Sequence, residues 1–145
     1  MRDRIVDVGA KVMNGTHRAI LVLSGGRLGR RAFGMPVVEL TTTGRKSGQQ
    51  RTTMLTSPVH DDDKVVVVAS YGGDDRDPAW YLNLRDHPDV EILFEGKRRA
   101  MRARVADPAE KEALWPEIVT AYKGYGQYQK RTERDIPVVI LEPSA

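Results

Sequence analysis

Two strand–turn–strand patterns constrain this chain more than any other feature. Residues 37–43 and 51–57 flank the turn GRKSGQQ, and residues 90–95 and 97–106 alternate around Gly96. A short turn returns a strand beside its predecessor, whereas parallel pairing needs a long crossover. Successive hairpins therefore predict a mainly antiparallel sheet rather than a doubly wound parallel one. Residues 64–70, KVVVVAS, are an apolar β-branched run that reads as a buried strand, with His60 to Asp63 as the acidic turn before it. Residues 136–141 read as a final strand.

Helical signals fall between these strands. Ile5, Val8, Val12, Ala19 and Leu23 share one face of a predicted amphipathic helix over residues 3–24, flanked by Arg4, Lys11 and Arg18. Packing on the domain is the simpler reading of that helix, and snorkelling at a membrane surface is the other. Asp77 is placed to cap a short helix with Pro78 at its first position, ending at His87-Pro88. Asp107, Pro108 and Glu110 carry a helix-start signature, followed by Leu114, Trp115 and Val119. Trp80 and Trp115 read most simply as core residues. The expected architecture is α+β: an antiparallel barrel with flanking helices and an N-terminal amphipathic helix.

The 145 residues fit one domain over 1–145, with a helical segment 1–24 and a barrel 25–145. With no cysteine, disulfides, thiolate metal sites and a cysteine nucleophile are excluded, in keeping with a reducing cytoplasm. His17, His60 and His87 lack the spacing of metal ligands, so no metal is expected. No apolar run is long enough to span a bilayer, and no signal-peptide core follows the basic start. The net charge of +3 is gathered at residues 26–31, 44–51 and 96–104. Such clusters suit an anionic partner or are simply solvated faces.

The stretch LTTTGRKSGQQRTTML resembles a nucleotide-phosphate loop only superficially. The residue before Lys46 is Arg45 rather than glycine, and a strand pattern follows in place of a helix. A nucleoside-triphosphatase is therefore excluded. The turn still offers Arg45, Lys46, Ser47, nearby Arg51 and backbone N–H groups to an anion. Spacing alone leaves a plain basic hairpin as the simpler reading. Ser70, at the end of the buried run beside Gly72-Gly73, is a strand end well placed to approach a ligand. Tyr122, Tyr125 and Tyr128 would share a helix face, although Gly124 and Gly126 weaken a regular helix and suggest a mobile segment.

Taken in order, LTTTGRKSG with Arg51, VVAS with Gly72-Gly73, PAWYLNL, the tyrosine cluster and IPVVILEP resemble the deazaflavin-dependent nitroreductase family. The resemblance runs from about Gly25 to Pro143. It implies a split β-barrel oxidoreductase that uses coenzyme F420. It also implies that Arg45, Lys46, Ser47, Gly48 and Arg51 hold the cofactor's phosphate and oligoglutamate tail. Thr52, Thr53, Met54 and Leu55 would line the deazaflavin side of a groove, with Ala69, Ser70 and Tyr71 on the neighbouring strand end. Ala79, Trp80, Tyr81, Leu82 and Asn83 would close it. Ser70, Tyr125 and Tyr128 would serve catalysis, and Tyr122, Tyr125 and Tyr128 would border the substrate. Tyr71 and Met54 depart from the polar residue and the proline of many relatives.

The implied reaction is hydride transfer from reduced F420 to a small apolar acceptor, a quinone or nitroaromatic. Rival readings are a flavin mononucleotide (FMN) oxidoreductase on the same barrel and a carrier of F420 or lipid without turnover. Nucleic-acid binding ranks last, because residues 96–104 lack interleaved aromatics. A homodimer, and a cytoplasmic protein touching the inner membrane face through its N-terminal helix, complete the expectations.

Overall fold

The computed structural model describes residues 31–144. The helix expected over residues 3–24 and the basic residues 26–30 lie outside this range. The described elements are β1 (Arg31–Ala32), β2 (Met35–Thr43), β3 (Gln50–Thr56), β4 (Val59–His60) and β5 (Val65–Val68), then a 3-10 turn (Tyr71–Gly73) and α1 (Ala79–Asp86). They continue with β6 (Asp89–Phe94), β7 (Lys97–Val105), α2 (Pro108–Ala121), α3 (Gly124–Arg131) and β8 (Val138–Pro143).

All strand pairs are antiparallel, in the order β1-β2-β6-β7-β8-β5-β4, with β3 added to β2 off this path. β3 matches β2 from Val37↔Thr56 to Thr43↔Gln50 and pairs with no second strand among the described residues. The sheet curls without closing, which makes it a split barrel.

Alternation of side chains divides the core in two. Val65, Val67 and Ala69 point inward with Val38, Leu40, Ile92, Met101 and Leu141, and Tyr81 and Leu84 of α1 plug this interior. Val66 and Val68 point to the other face, where Ile118 of α2, Tyr125 of α3, Ile136 and Val138 cover them. β5 is thus buried on both faces, which is why it reads as an unbroken apolar run. Asp107 and Glu110 complete the capping box of α2: the Asp107 carboxylate accepts the Glu110 N–H at 2.8 Å.

Two local expectations require correction. Pro78, not Asp77, is the capping residue of α1, and no side chain caps that end. The Asp77 carboxylate instead receives Arg134 Nη1 at 2.9 Å, a charged partner that a cap would forgo. The tyrosine segment is a regular helix, α3, despite its glycines. A Cβ on Gly124 would fall 2.3 Å from the Tyr122 ring, so this glycine makes room for an aromatic contact.

Ser57 pins the open side of the barrel. It is almost fully buried, and its Oγ lies 2.8 Å from the Val59 carbonyl oxygen and 2.7 Å from that of Val66. One hydroxyl proton serves the two acceptors. Ser57→Ala leaves both oxygens without it and is expected to cost about 1–3 kcal/mol of unfolding free energy in denaturant titrations.

Candidate active site

A groove of about 890 Å³ occupies the split. β3 forms one wall, from Arg51 to Thr56, while Val68, Ser70 and Tyr71 form the facing wall. One end is the basic turn after β2; the other holds the tyrosines of α3 and its approach.

The turn is tightly bonded to itself. The Gly44 N–H donates to Gln49 O at 2.7 Å, Gly48 N–H to Gly44 O at 2.9 Å, and Gln49 N–H to Ser47 Oγ at 3.2 Å. The Arg45 N–H donates to Asn83 Oδ1 at 3.1 Å, and Asn83 Nδ2 donates to Thr42 Oγ1 at 3.2 Å. Within residues 44–49, only the Lys46 and Ser47 N–H groups lack an acceptor among the described residues. The backbone anion site expected from the sequence is therefore narrower than the glycines suggest. The side chains are freer: Arg45, Lys46 and Arg51 are exposed, and no carboxylate pairs with them among the described residues.

The basic strand β7 differs. Arg98 meets Glu91 at 3.5 Å, Arg102 meets Asp89 at 3.1 Å, and Arg104 meets Glu110 at 2.8 Å and Glu142 at 2.7 Å. The Arg104 pairing holds the Glu110 carboxyl below its ordinary range. These arginines are largely neutralised, which removes the main ground for a nucleic-acid surface.

At the far end, Tyr122 and Tyr125 stack edge to face at 5.3 Å, and Tyr125 and Tyr128 at 6.3 Å. The Tyr122 and Tyr128 hydroxyls lie 3.4 Å apart. The Tyr125 hydroxyl is 3.1 Å from Thr56 Oγ1, which bridges α3 to β3 across the split. Burial pushes the Tyr125 phenol up, partly offset by the Thr56 hydrogen bond. Tyr128 is pushed up to about 12, first by burial and then by its contact with Tyr122. Ser70 is nearly buried, yet its hydroxyl bonds no other described residue.

Most residues singled out from the sequence meet at this groove, and Gly48, Ala69, Tyr81 and Leu82 do not. Gly48 turns the chain at φ +70 and presents no side chain. Ala69 alternates with Val68 and Ser70 and so faces the barrel interior. Tyr81 and Leu82 sit on the core side of α1, while Ala79, Trp80 and Asn83 face the groove. Trp80 therefore lines the groove as well as packing on the core. Sequence reasoning missed Phe33, Met35, Thr42, Thr56 and Val68. Met35 and Phe33 come from the β1–β2 hairpin, which no periodicity flags. Thr42 and Thr56 could have been found by extending the strand register.

An open-edged barrel holding a groove with a cationic end and a phenolic end defines a split-barrel protein shaped to take a ligand in its split. The chain matches the model of the F420H(2)-dependent quinone reductase family over residues 13–143, and it belongs to that family. It is 43% identical over 139 residues to an F420H(2)-dependent quinone reductase of Mycobacterium tuberculosis, covering 92% of this chain and 91% of that protein. The solved structure of an F420-H2 dependent reductase, FDR-A, is 41% identical with a TM-score of 0.67, over 74% of this chain and 94% of that one. A second solved structure, described as a domain-swapped dimer, is 36% identical with a TM-score of 0.70, over 88% and 96% of the two chains.

The tyrosines make stability depend on alkali. A phenol whose pKa is raised on folding contributes fully below its ordinary value of 10.0, and the contribution fades as pH climbs toward about 12. Denaturant melts should therefore show stability falling between about pH 10 and about pH 12. Tyr128→Phe should flatten that fall; an unchanged slope would assign it to other groups.

Proposed function

We propose that the protein is an F420H2-dependent reductase of a quinone or a comparable small apolar acceptor, such as a nitroaromatic. The observation that carries this reading is the contrast in charge: the groove cations Arg45, Lys46 and Arg51 have no carboxylate partner among the described residues, whereas Arg98, Arg102 and Arg104 of β7 do. Unpaired guanidinium and ammonium groups beside a groove suit a ligand with a polyanionic tail. The apolar wall of Met54 and Val68, both buried, and half-buried Leu55 and Trp80 suits a planar ring. The residues present thus fit F420. The relatives named above are named for F420H2, which favours deazaflavin over the FMN alternative.

Reduced F420, when bound, supplies the hydride for a two-electron reduction. The chain's own residues do the rest. Arg45, Lys46 and Arg51 hold the tail, and Asn83 fixes the turn that carries Arg45 by accepting its N–H. Reduction of a quinone to a hydroquinone takes one proton besides the hydride. Tyr128 keeps its proton at neutral pH, so its Oη–H acts as a hydrogen-bond donor to the developing oxyanion. Tyr125 Oη is engaged with Thr56, which makes it a wall of the acceptor space rather than the first donor. Ser70 Oγ, free of described partners, is the second donor at the same end. The relative described as a domain-swapped dimer supports a homodimeric arrangement, which sedimentation would test.

The direct test is anaerobic turnover: reduced F420 should be oxidised only when protein and a menaquinone-like acceptor are both present. Binding without turnover would mark a carrier instead. The joint variant Lys46→Ala/Arg51→Ala should weaken F420 binding by about 10- to 100-fold in fluorescence titrations, as loss of charged hydrogen bonds implies. The loss should grow with the number of glutamates in the tail. An unchanged affinity would remove the turn from the site.

A further inference from the structure

The sequence after α3 carries an arginine that neither the motifs nor the groove draws in. Arg134 is mostly buried, its side chain 13% exposed, and it faces a single loop. Nη1 donates to Ala69 O at 3.1 Å and to Asp77 Oδ1 at 2.9 Å. Nη2 donates to Ser70 O at 3.1 Å and Asp74 O at 3.0 Å, and Nε donates to Asp74 O at 3.2 Å. Every bond of this guanidinium thus ends on residues 69–77, which include the groove residues Ser70 and Tyr71.

The loop it holds is unusual in its backbone. Tyr71, Gly72 and Gly73 have φ of +46, +64 and +82 in succession, and the first is a bulky residue in a region that L side chains rarely adopt. Such a conformation persists only where its surroundings over-determine it. Here they do. Thr132 Oγ1 donates to Asp75 Oδ1 at 2.8 Å, and Arg131 Nη1 reaches Gly72 O at 3.4 Å. A Cβ on Gly73 would stand 2.9 Å from the Tyr128 carbonyl oxygen, so the loop and α3 are in close contact. Gln129 Nε2 in turn donates to the Arg134 carbonyl at 2.7 Å, fastening the arginine's own backbone to α3.

We propose that Arg134 is a positioning residue for the acceptor end of the groove, fixing the Ser70 hydroxyl relative to the tyrosines of α3. It draws the Ala69 and Ser70 carbonyls away from the groove while the Ser70 side chain lines it. A guanidinium is suited to this because its planar fork presents five N–H donors in fixed directions, whereas an ammonium offers a point charge with three. The catalytic consequence rests on the functional reading above; the mechanical claim does not.

The test uses Arg134→Lys in the full-length protein, with Asp77→Asn as a milder variant that leaves the carbonyl bonds of Arg134 in place. Hydrogen exchange at the Gly73 and Asp74 amides, which bond Ser70 O and Tyr71 O at 2.9 and 3.1 Å, reads the loop directly without F420. Both variants should speed that exchange while α2 keeps its protection, and undiminished protection in both overturns the proposal. In turnover, Arg134→Lys should lower kcat by about 10- to 100-fold, the scale of a displaced catalytic group. The dependence of F420 affinity on the number of glutamates, set at the basic turn, should hold. In a Ser70→Ala background the same change should cost little, because the group it positions is already gone. An equal cost in both backgrounds would show a general structural effect and refute the positioning role. Failure of the native protein to oxidise reduced F420 would count against the functional reading alone, since the exchange arm stands apart from it.

Discussion

The edge of β3, which pairs with no second strand among the described residues, is the constraint on which the rest of this structure depends. A sheet edge exposes backbone donors and acceptors and invites unwanted pairing. Here the edge borders a groove, and its distance from the facing wall is set by bonds across the split. Ser57 ties the end of β3 to β5, Tyr125 ties it to α3, and Asn83 ties the adjoining turn to α1. The barrel stays open because each tether spans the gap with a side chain and not with a strand. Had β3 paired with β5, the two walls of the groove would have been consumed in a ladder.

Charge is distributed to match this geometry. The chain carries clustered cations on β7 and on the turn after β2; among the described residues Arg98, Arg102 and Arg104 of β7 meet carboxylates, and the cations of the turn do not. Exposed ion pairs of that kind contribute little stability, so their main effect is to cancel a surface field. What remains is a cationic pole at one end of the groove and neutral phenols at the other. An anionic tail and an apolar planar head would therefore find opposite ends of one groove, and the acceptor's developing charge would meet hydroxyl groups that keep their protons.

Much of this was legible in the sequence, for reasons that differ by element. The hairpin about Gly96 and the capping box at Asp107 are local, so their residues alone specify them. The apolar run in β5 announced burial on both faces. Asp77 was misread because its partner, Arg134, is 57 positions away. The tyrosine helix was misread because Gly124 looked like a breaker, and only the fold shows the Tyr122 ring beside it. At the site, the basic turn and β3 were contiguous and easily found. Ala69, Tyr81 and Leu82 came in with their neighbours and were placed in the core by alternation and helical phase. Arg134 carried no signal, since its role comes from five hydrogen bonds to a loop far away in the chain.

The most direct measurement is a crystal structure of the protein with F420 bound. The account predicts the anionic tail within hydrogen-bond reach of Arg45, Lys46 or Arg51. It predicts the ring between β3 and Ser70, with its open face toward Tyr128. A tail bound on the arginines of β7, or a ring outside the split between β3 and β5, would contradict it.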